Sequence, residues 1–372
     1  MERIKINKRN NWEEKIKEQG FIYYKDYYEE DAAYEFSAKE IDRIDVATAK
    51  IFDMCLQTVQ HVIDHNLFSS FFIAKEYEDL IKWSWNEDMM SFYGRMDLGY
   101  NGTDIKLLEF NADTPTGLFE ASVIQWYWLQ DFNKKFDQFN SLHEKLVAHI
   151  KVCKPYFLDG KLFFSCVNNS IEDYVTVRYL QDTCEQAGMP NDFIYIEDIS
   201  LNAENQFCQK DGSLIKNIFK LYPYEWLFHE EFGKYLSPNK ENCYWVEPAY
   251  KALLSNKMLL KCMYELFPNS PYLLKCSFDK TITEDYVKKP VFSREGANIE
   301  IFQSGKIMEK TDGEYGEEGF LYQEYFDIPK LDGKTPVIGS WLIGGETAGM
   351  GIRESDNLIT NNMSKFVPHY FY

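Results

Sequence analysis

Two periods organise the apolar positions of this chain. From about Ala38 to Leu67 they recur at helical spacing, which predicts a long amphipathic helix. In "GRMDLGYNGTDIKLLEFNAD" (Gly94 to Asp113) they alternate, which predicts two strands joined near Asn101-Gly102. "TPTGLFEASVIQWYWLQDF" opens with the helix-start residues Thr114, Pro115 and Thr116 and continues as an amphipathic helix. "KLFFSCVNN", "IEDYVTVRYLQDTCEQAGM" and "NDFIYIEDI" read as strand, helix and strand, a βαβ subdomain at about residues 155–235. "SNKMLLKCMYELFPNS" predicts another helix, and from Tyr286 onward strands dominate, separated by glycine-rich turns. The last strands are apolar enough to be central. The expectation is a single α+β unit over residues 1–372.

The hairpin is unusual because each strand has an apolar face and a polar face. Met96 and Leu98 oppose Arg95 and Asp97, while Leu108 and Phe110 oppose Glu109 and Asn111. A two-residue turn at Asn101-Gly102 would pair Asp97 with Lys106 and separate the polar sets. A three-residue loop, Asn101 to Thr103, pairs Arg95 with Glu109 and aligns all four. Burying Met96, Leu98, Leu108 and Phe110 together requires an odd-length loop, so that register is expected. A lone pair of charges there would be a solvated outer face. Two carboxylates, an amide and a guanidinium, followed by Asp113 and a helix start, suit Mg²⁺ and an anion instead. The expectation is a site for a phosphate-bearing substrate with metal.

Composition narrows the class. The chain is 45% hydrophobic and 27% charged, as in a globular protein, with no apolar run long enough to span a bilayer. A net charge of -19 argues against nucleic acid and is compatible with a cationic substrate. The charged N-terminal stretch lacks a signal-peptide core, so a cytoplasmic setting is expected, without membrane association. Eight cysteines show no Cys-x-x-Cys spacing and are expected to be buried thiols rather than zinc ligands or disulfides.

Neither a P-loop nor a Gly-x-Gly-x-x-Gly helix start occurs. "VKKPVFSREGANIEIF" (Val287 to Phe302) is a strand, a glycine turn and a strand; a lysine and loop N–H groups can hold phosphates there, or the segment is a surface hairpin. The backbone of Gln323, Glu324, Tyr325 and Phe326 could receive an adenine edge or simply end a strand. Arg353, among glycines, suits a phosphate or a turn cap.

With these pieces in place the chain resembles the synthetase domain of glutathionylspermidine synthase and its stand-alone relatives. "GRMD", "LEFNADTPTG", "LYPYEW", "SNKMLL", "KKPVFSREGANI", "YQEYF" and "GSWLIGGETAGMGIRE" carry the resemblance in family order. It implies a circularly permuted ATP-grasp fold, with the βαβ unit as a pre-ATP-grasp subdomain and a lid subdomain at about 252–322. It also implies a reaction in which ATP phosphorylates a carboxylate and an amine displaces the phosphate, with glutathione and spermidine as the pair. By resemblance, Asp97, Glu109 and Asn111 would hold two Mg²⁺, and Arg95 would bind the reacting carboxylate as well as ATP. Asp97, Lys257, Lys289, Glu295, Gly296, the segment from Gln323 to Phe326, Arg353, Leu358, Ile359 and Thr360 would hold ATP. Arg95, Thr114, Glu172 and Asp173 would meet the peptide acid and polyamine. The cysteine amidase half of the bifunctional relatives is absent from this sequence, and Leu221 stands where they carry a small hydroxyl residue. The readings left open are a ligase for another acid or amine and a non-catalytic ATP-binding regulator.

Overall fold

The computed structural model describes residues 1–238 and 243–372. At its centre is an antiparallel sheet of five strands, in the order Lys365–Val367, Glu346–Ser355, Thr335–Ile343, Tyr93–Tyr100 and Ile105–Asn111. Thr335–Ile343 is buried along its whole length and paired on both sides, as its apolar sequence predicts. Helix Ala38–Asp64 covers one face. It starts at a Ser37/Glu40 capping box, and its stripe of Ile44, Ile51, Cys55 and Val59 packs with Met96, Leu98, Leu107 and Phe110 in one cluster. That face takes the apolar side chains, leaving the opposite face of the hairpin for polar ones.

The hairpin reaches this state by a route other than the expected three-residue loop. Tyr100 pairs with Ile105, Gly99 with Lys106 and Leu98 with Leu107, so the connection is the four residues Asn101 to Asp104. Asn101 Oδ1 accepts the N–H groups of Thr103 and Asp104, and Gly102 takes φ +93, which fixes the turn. An even loop alone would send Glu109 to the core. A β-bulge at Leu108 resets the parity: beyond it Asp97 pairs with Glu109 and Arg95 with Asn111, in place of the expected Arg95–Glu109 pair. Leu107, not Leu108, is therefore the core residue, fully buried, while Leu108 turns partly outward.

The helix after the hairpin also starts later than its sequence suggests. Thr114, Pro115 and Thr116 are not helical; Gly117 takes φ +85 and Ala121 N–H returns to its carbonyl. A π-helical turn, Glu120–Ile124, then runs into Gln125–Phe132. The approach is held off helical geometry by its ends. Asp113 is bound to Lys220 and Tyr224, and the Thr116 carbonyl accepts from Arg95.

Two further sheets flank the hairpin. A parallel sheet orders Tyr244–Val246, Asn217–Leu221, Leu162–Cys166 and Asn191–Phe193, with helix Ile171–Gln186 as the expected βαβ crossover. Its fourth strand lies beyond residue 235. Fully buried Lys220 joins this sheet to the hairpin through a 2.7 Å bond to Asp113 Oδ1, while Tyr224 N–H donates to Oδ2 at 2.7 Å. An antiparallel sheet orders Cys276–Ser277, Phe320–Glu324, Tyr286–Pro290, Glu300–Gln303 and Lys306–Lys310; its Lys289 donates to the Leu108 carbonyl at 3.1 Å. All eight cysteines are buried and unpaired. Among the described residues, no helix is long and apolar enough to cross a membrane.

The bulge predicts unequal costs for its two leucines. Leu107→Ala should lose about 2–5 kcal/mol by cavity formation. Leu108→Ala should lose well under half of that. Urea unfolding of the two variants checks this, and equal losses would refute the register.

Candidate active site

The polar face of the hairpin is a connected floor. Arg95 grips Asp97 with two bonds, Nε to Oδ1 at 2.7 Å and Nη2 to Oδ2 at 3.0 Å, and its Nη1 donates to the Thr116 carbonyl at 2.6 Å. Gly339 on the neighbouring strand makes room for it: a Cβ there would lie 2.9 Å from Arg95 Cδ. Asn111 Nδ2 donates to Glu109 at 3.1 Å and reaches Asp97 at 3.4 Å. Lys257 Nζ lies 3.5 Å from Glu109 and also bonds the Ser293 carbonyl at 2.9 Å. Lys289 Nζ donates to Gln323 Oε1 at 2.7 Å.

The charges on this floor hold one another away from their ordinary values. Loss of water pushes Glu109 up, but Lys257 and Lys289 outweigh it and bring its carboxyl down to about 2. Asp97 moves the other way: burial, with repulsion from Glu109, raises it against the pull of Arg95. Burial lowers the Lys289 ammonium to about 8. Asp97 and Glu109 thus sit side by side on one face, each held by cations from the surrounding elements.

Among the described residues no three His, Cys, Asp or Glu side chains form a group able to hold a metal by themselves. Asp97 and Glu109 with the Asn111 amide are nonetheless an all-oxygen set of the kind Mg²⁺ shares with phosphate. Asn111 turns its nitrogen to both carboxylates, and a half-turn of the amide presents its oxygen. The residues fit the ion as one shared with a ligand.

Beside the floor lies a cleft with about 750 Å³ of free space. Asp97, Glu109 and Lys289 line it beside the apolar Leu108, Val287, Ile299, Ile301 and Val337, and Gln323, Glu324, Tyr325, Phe326, Gly296, Leu358, Ile359 and Thr360 line it as well. Lys257 and Thr114 line a smaller adjoining cavity with Asn111, Glu225 and Arg294. Glu295 falls outside the cleft, exposed on the outer side of its loop with φ +57. Arg353 shares a third cavity with Arg95, its Nη2 on the Asn361 carbonyl at 2.5 Å and its buried Nε without a hydrogen-bond partner. Glu172 and Asp173 open helix Ile171–Gln186, capped by Ser170, and burial with repulsion from Glu172 raises Asp173 to about 6.

Three charged residues at this site escape a reading by strand faces and motifs. Arg294, in the glycine loop, bonds Glu225 and Thr114, both at 2.9 Å, and its guanidinium stands 5.3 Å over the Trp226 ring. Glu120 is fully buried in the π-helical turn, taking a 2.9 Å bond from Tyr23 while its second oxygen has no partner. A lone acid inside the apolar run "GLFEASVI" was the available signal for Glu120. Arg294 and Glu225 lie within "KKPVFSREGANI" and "LYPYEW", but neither motif says that the two residues meet.

Comparison with known proteins gives this arrangement a lineage. The family model for the glutathionylspermidine synthase preATP-grasp family matches residues 3–372. The chain belongs to that family. A Haemophilus influenzae protein, provisionally named an acid–amine ligase, is 37% identical over 373 residues, covering 95% of this chain and 94% of that protein. The bifunctional glutathionylspermidine synthetase/amidase of Escherichia coli is 24% identical over 350 residues, and the chain spans 56% of its length. Among solved structures, a glutathione synthetase-like effector of Globodera pallida shares the fold, with a TM-score of 0.58, 11% identity and 98% coverage of each chain. As its relatives are acid–amine ligases and synthetases, this member of the glutathionylspermidine synthase preATP-grasp family is an enzyme of the ligase class.

Burial, with repulsion from Glu172, pushes Glu120 up from 4.5 to about 7. Across that window the folded state holds more protons than the unfolded, so this carboxyl erodes stability as pH rises. Glu120→Gln should therefore melt above the wild type at pH 8 and level with it only below about pH 4, under the unfolded carboxyl's own value. Thermal melts across pH check the sign; a constant offset would refute it.

Proposed function

We propose that this ligase joins a carboxylic acid to an amine at the expense of ATP, through an acyl phosphate. One observation carries the reading: the Arg95, Asp97, Glu109 and Asn111 floor meets Lys289 in a largely apolar cleft and Lys257 in the cavity adjoining it. In our reading the adenine lies against the segment from Gln323 to Phe326 and the phosphates point at the two lysines. The hairpin precedes those lysines and the glycine loop, which is the order of a circularly permuted ATP-grasp fold. The lid is the sheet between Cys276 and Glu324.

Phosphoryl transfer asks mainly for positioning and charge neutralisation. Lys257 and Lys289 supply positive charge at the floor. Arg95 uses three of its five N–H donors on Asp97 and Thr116, which leaves two for the acid's reacting carboxylate. When bound, Mg²⁺ shared by Asp97, Glu109 and Asn111 would neutralise phosphate oxygens. The γ-phosphoryl group passes to a carboxylate oxygen and ADP leaves. The amine nitrogen then bonds the acyl carbon as the carbon–oxygen bond to phosphate breaks, and the amine gives up a proton. Gly296 and Thr360 close above the cleft and limit the access of water to the intermediate.

The substrate pair we infer is a glutathione-like peptide acid and a polyamine-like amine in a cytoplasmic setting. The bifunctional relative's name supplies the pair, while Glu172, Asp173 and the net charge of -19 suit a polycation. Leu221, buried at the end of its parallel strand, favours a second reading in which the acid is a different peptide or amino acid.

Mass spectrometry after incubation with ATP, Mg²⁺, glutathione and a polyamine mixture should show an adduct lighter by water than the two substrates combined. Adducts only with other acids or amines would sink the narrow pair and keep the ligase. ATP and Mg²⁺ binding with no ADP release against any pair would favour a regulator. Glu109→Gln and Asp97→Asn should each cut turnover by about 10²-fold or more, as loss of a preorganised charge at a reacting phosphate does. Full activity in Glu109→Gln would refute the floor's role.

A further inference from the structure

The roof of the cleft is made by two segments that belong to different sheets. One is the glycine loop from Ser293 to Asn298, with the lid strand Lys306–Lys310 behind it. The other is the loop 356–363, which joins two strands of the central sheet and supplies Leu358, Ile359 and Thr360 to the cleft. Glu309, on the lid strand, holds the second segment. Its Oε2 accepts the Leu358 N–H at 2.7 Å and its Oε1 accepts the Ile359 N–H at 3.2 Å.

Two consecutive backbone N–H groups turned to one carboxylate form a small anion cradle, and bonds to a charged acceptor are stronger than neutral ones. The surrounding contacts point the same way. Asn362 Nδ2 donates to Glu295. Thr311, two residues beyond Glu309, donates from Oγ1 to the Gly296 carbonyl at 2.6 Å. Gly296, at φ +71, approaches the Thr360 carbonyl so closely that a Cβ would sit 2.5 Å from its oxygen. The lid and the cleft wall are thus clasped at their outer edge, by side chains that do not line the cleft.

We propose that Glu309 is a positioning residue for the nucleotide. It fixes the Leu358–Ile359–Thr360 wall in the shape that receives ATP, and it couples closure of the lid to that wall. The proposal rests on the nucleotide reading of the cleft given above.

The test uses the full chain with Glu309→Ala, Glu309→Asp and, as an independent break of the clasp, Asn362→Ala. Hydrogen exchange is read on peptides covering residues 356–361 without nucleotide, and steady-state kinetics against ATP. In Glu309→Ala the two amides should exchange about tenfold faster or more, with the rest of the chain unchanged. The KM for ATP should rise about tenfold while kcat stays within about threefold, the mark of lost binding rather than lost chemistry. Glu309→Asp should recover part of the KM, and Asn362→Ala should shift it the same way by less. Unchanged exchange would show that the clasp does not exist, and faster exchange with an unchanged KM would overturn the positioning role. A wild-type chain that binds no ATP would sink the nucleotide reading and this role with it, while the exchange arm would still decide the clasp.

Discussion

A strand shows only every second side chain to one face. Between Leu107 and Phe110 this chain must bury both end residues while Glu109 looks away from the core, and regular alternation cannot do that. One extra residue, Leu108, solves it. The polar face of the hairpin depends on that insertion. It brings Glu109 opposite Asp97 and Asn111 opposite Arg95, and it turns the Leu108 carbonyl toward Lys289. Bulges recur beside functional sites because they re-aim a side chain without moving the sheet.

Having gathered the charges, the structure keeps them in tension. Two half-buried carboxylates share one face, and the groups that answer them arrive from three directions. Arg95 comes from the same strand, Lys257 from the turn before helix Met258–Leu266, and Lys289 from the opposing sheet. Burial lowers the Lys289 ammonium to about 8 and, with repulsion from Glu109, raises the Asp97 carboxyl. Such a floor is poised to take up charge from outside rather than to satisfy itself.

Much of this was legible in the chain. The period-2 pattern showed that Arg95, Asp97, Glu109 and Asn111 belong on one face, and the βαβ unit and the apolar last strands read directly. The register was not legible, because loop length and bulge are both parity switches and only their product is constrained by burial. The helix start after Asp113 was misread for a related reason. Thr-Pro-Thr favours a helix start locally, but the Asp113–Lys220 bond and the Arg95–Thr116 bond hold that segment out of the helix, and their partners lie far away in sequence. The roles of Arg294, Glu225 and Glu309 were hidden for the same cause: each bonds a residue far away in sequence.

The wide sequence separation of these bonds has a consequence for how the enzyme comes into being. Asp113 waits 107 residues for Lys220, and the Gly339 that makes room for Arg95 lies on a strand beginning at Thr335. A nascent chain can form the hairpin early, but it gains that neighbouring strand only once Thr335–Ile343 has been made. The polar floor is therefore assembled late: translation must pass Thr335–Ile343 before Arg95 has the strand it packs against.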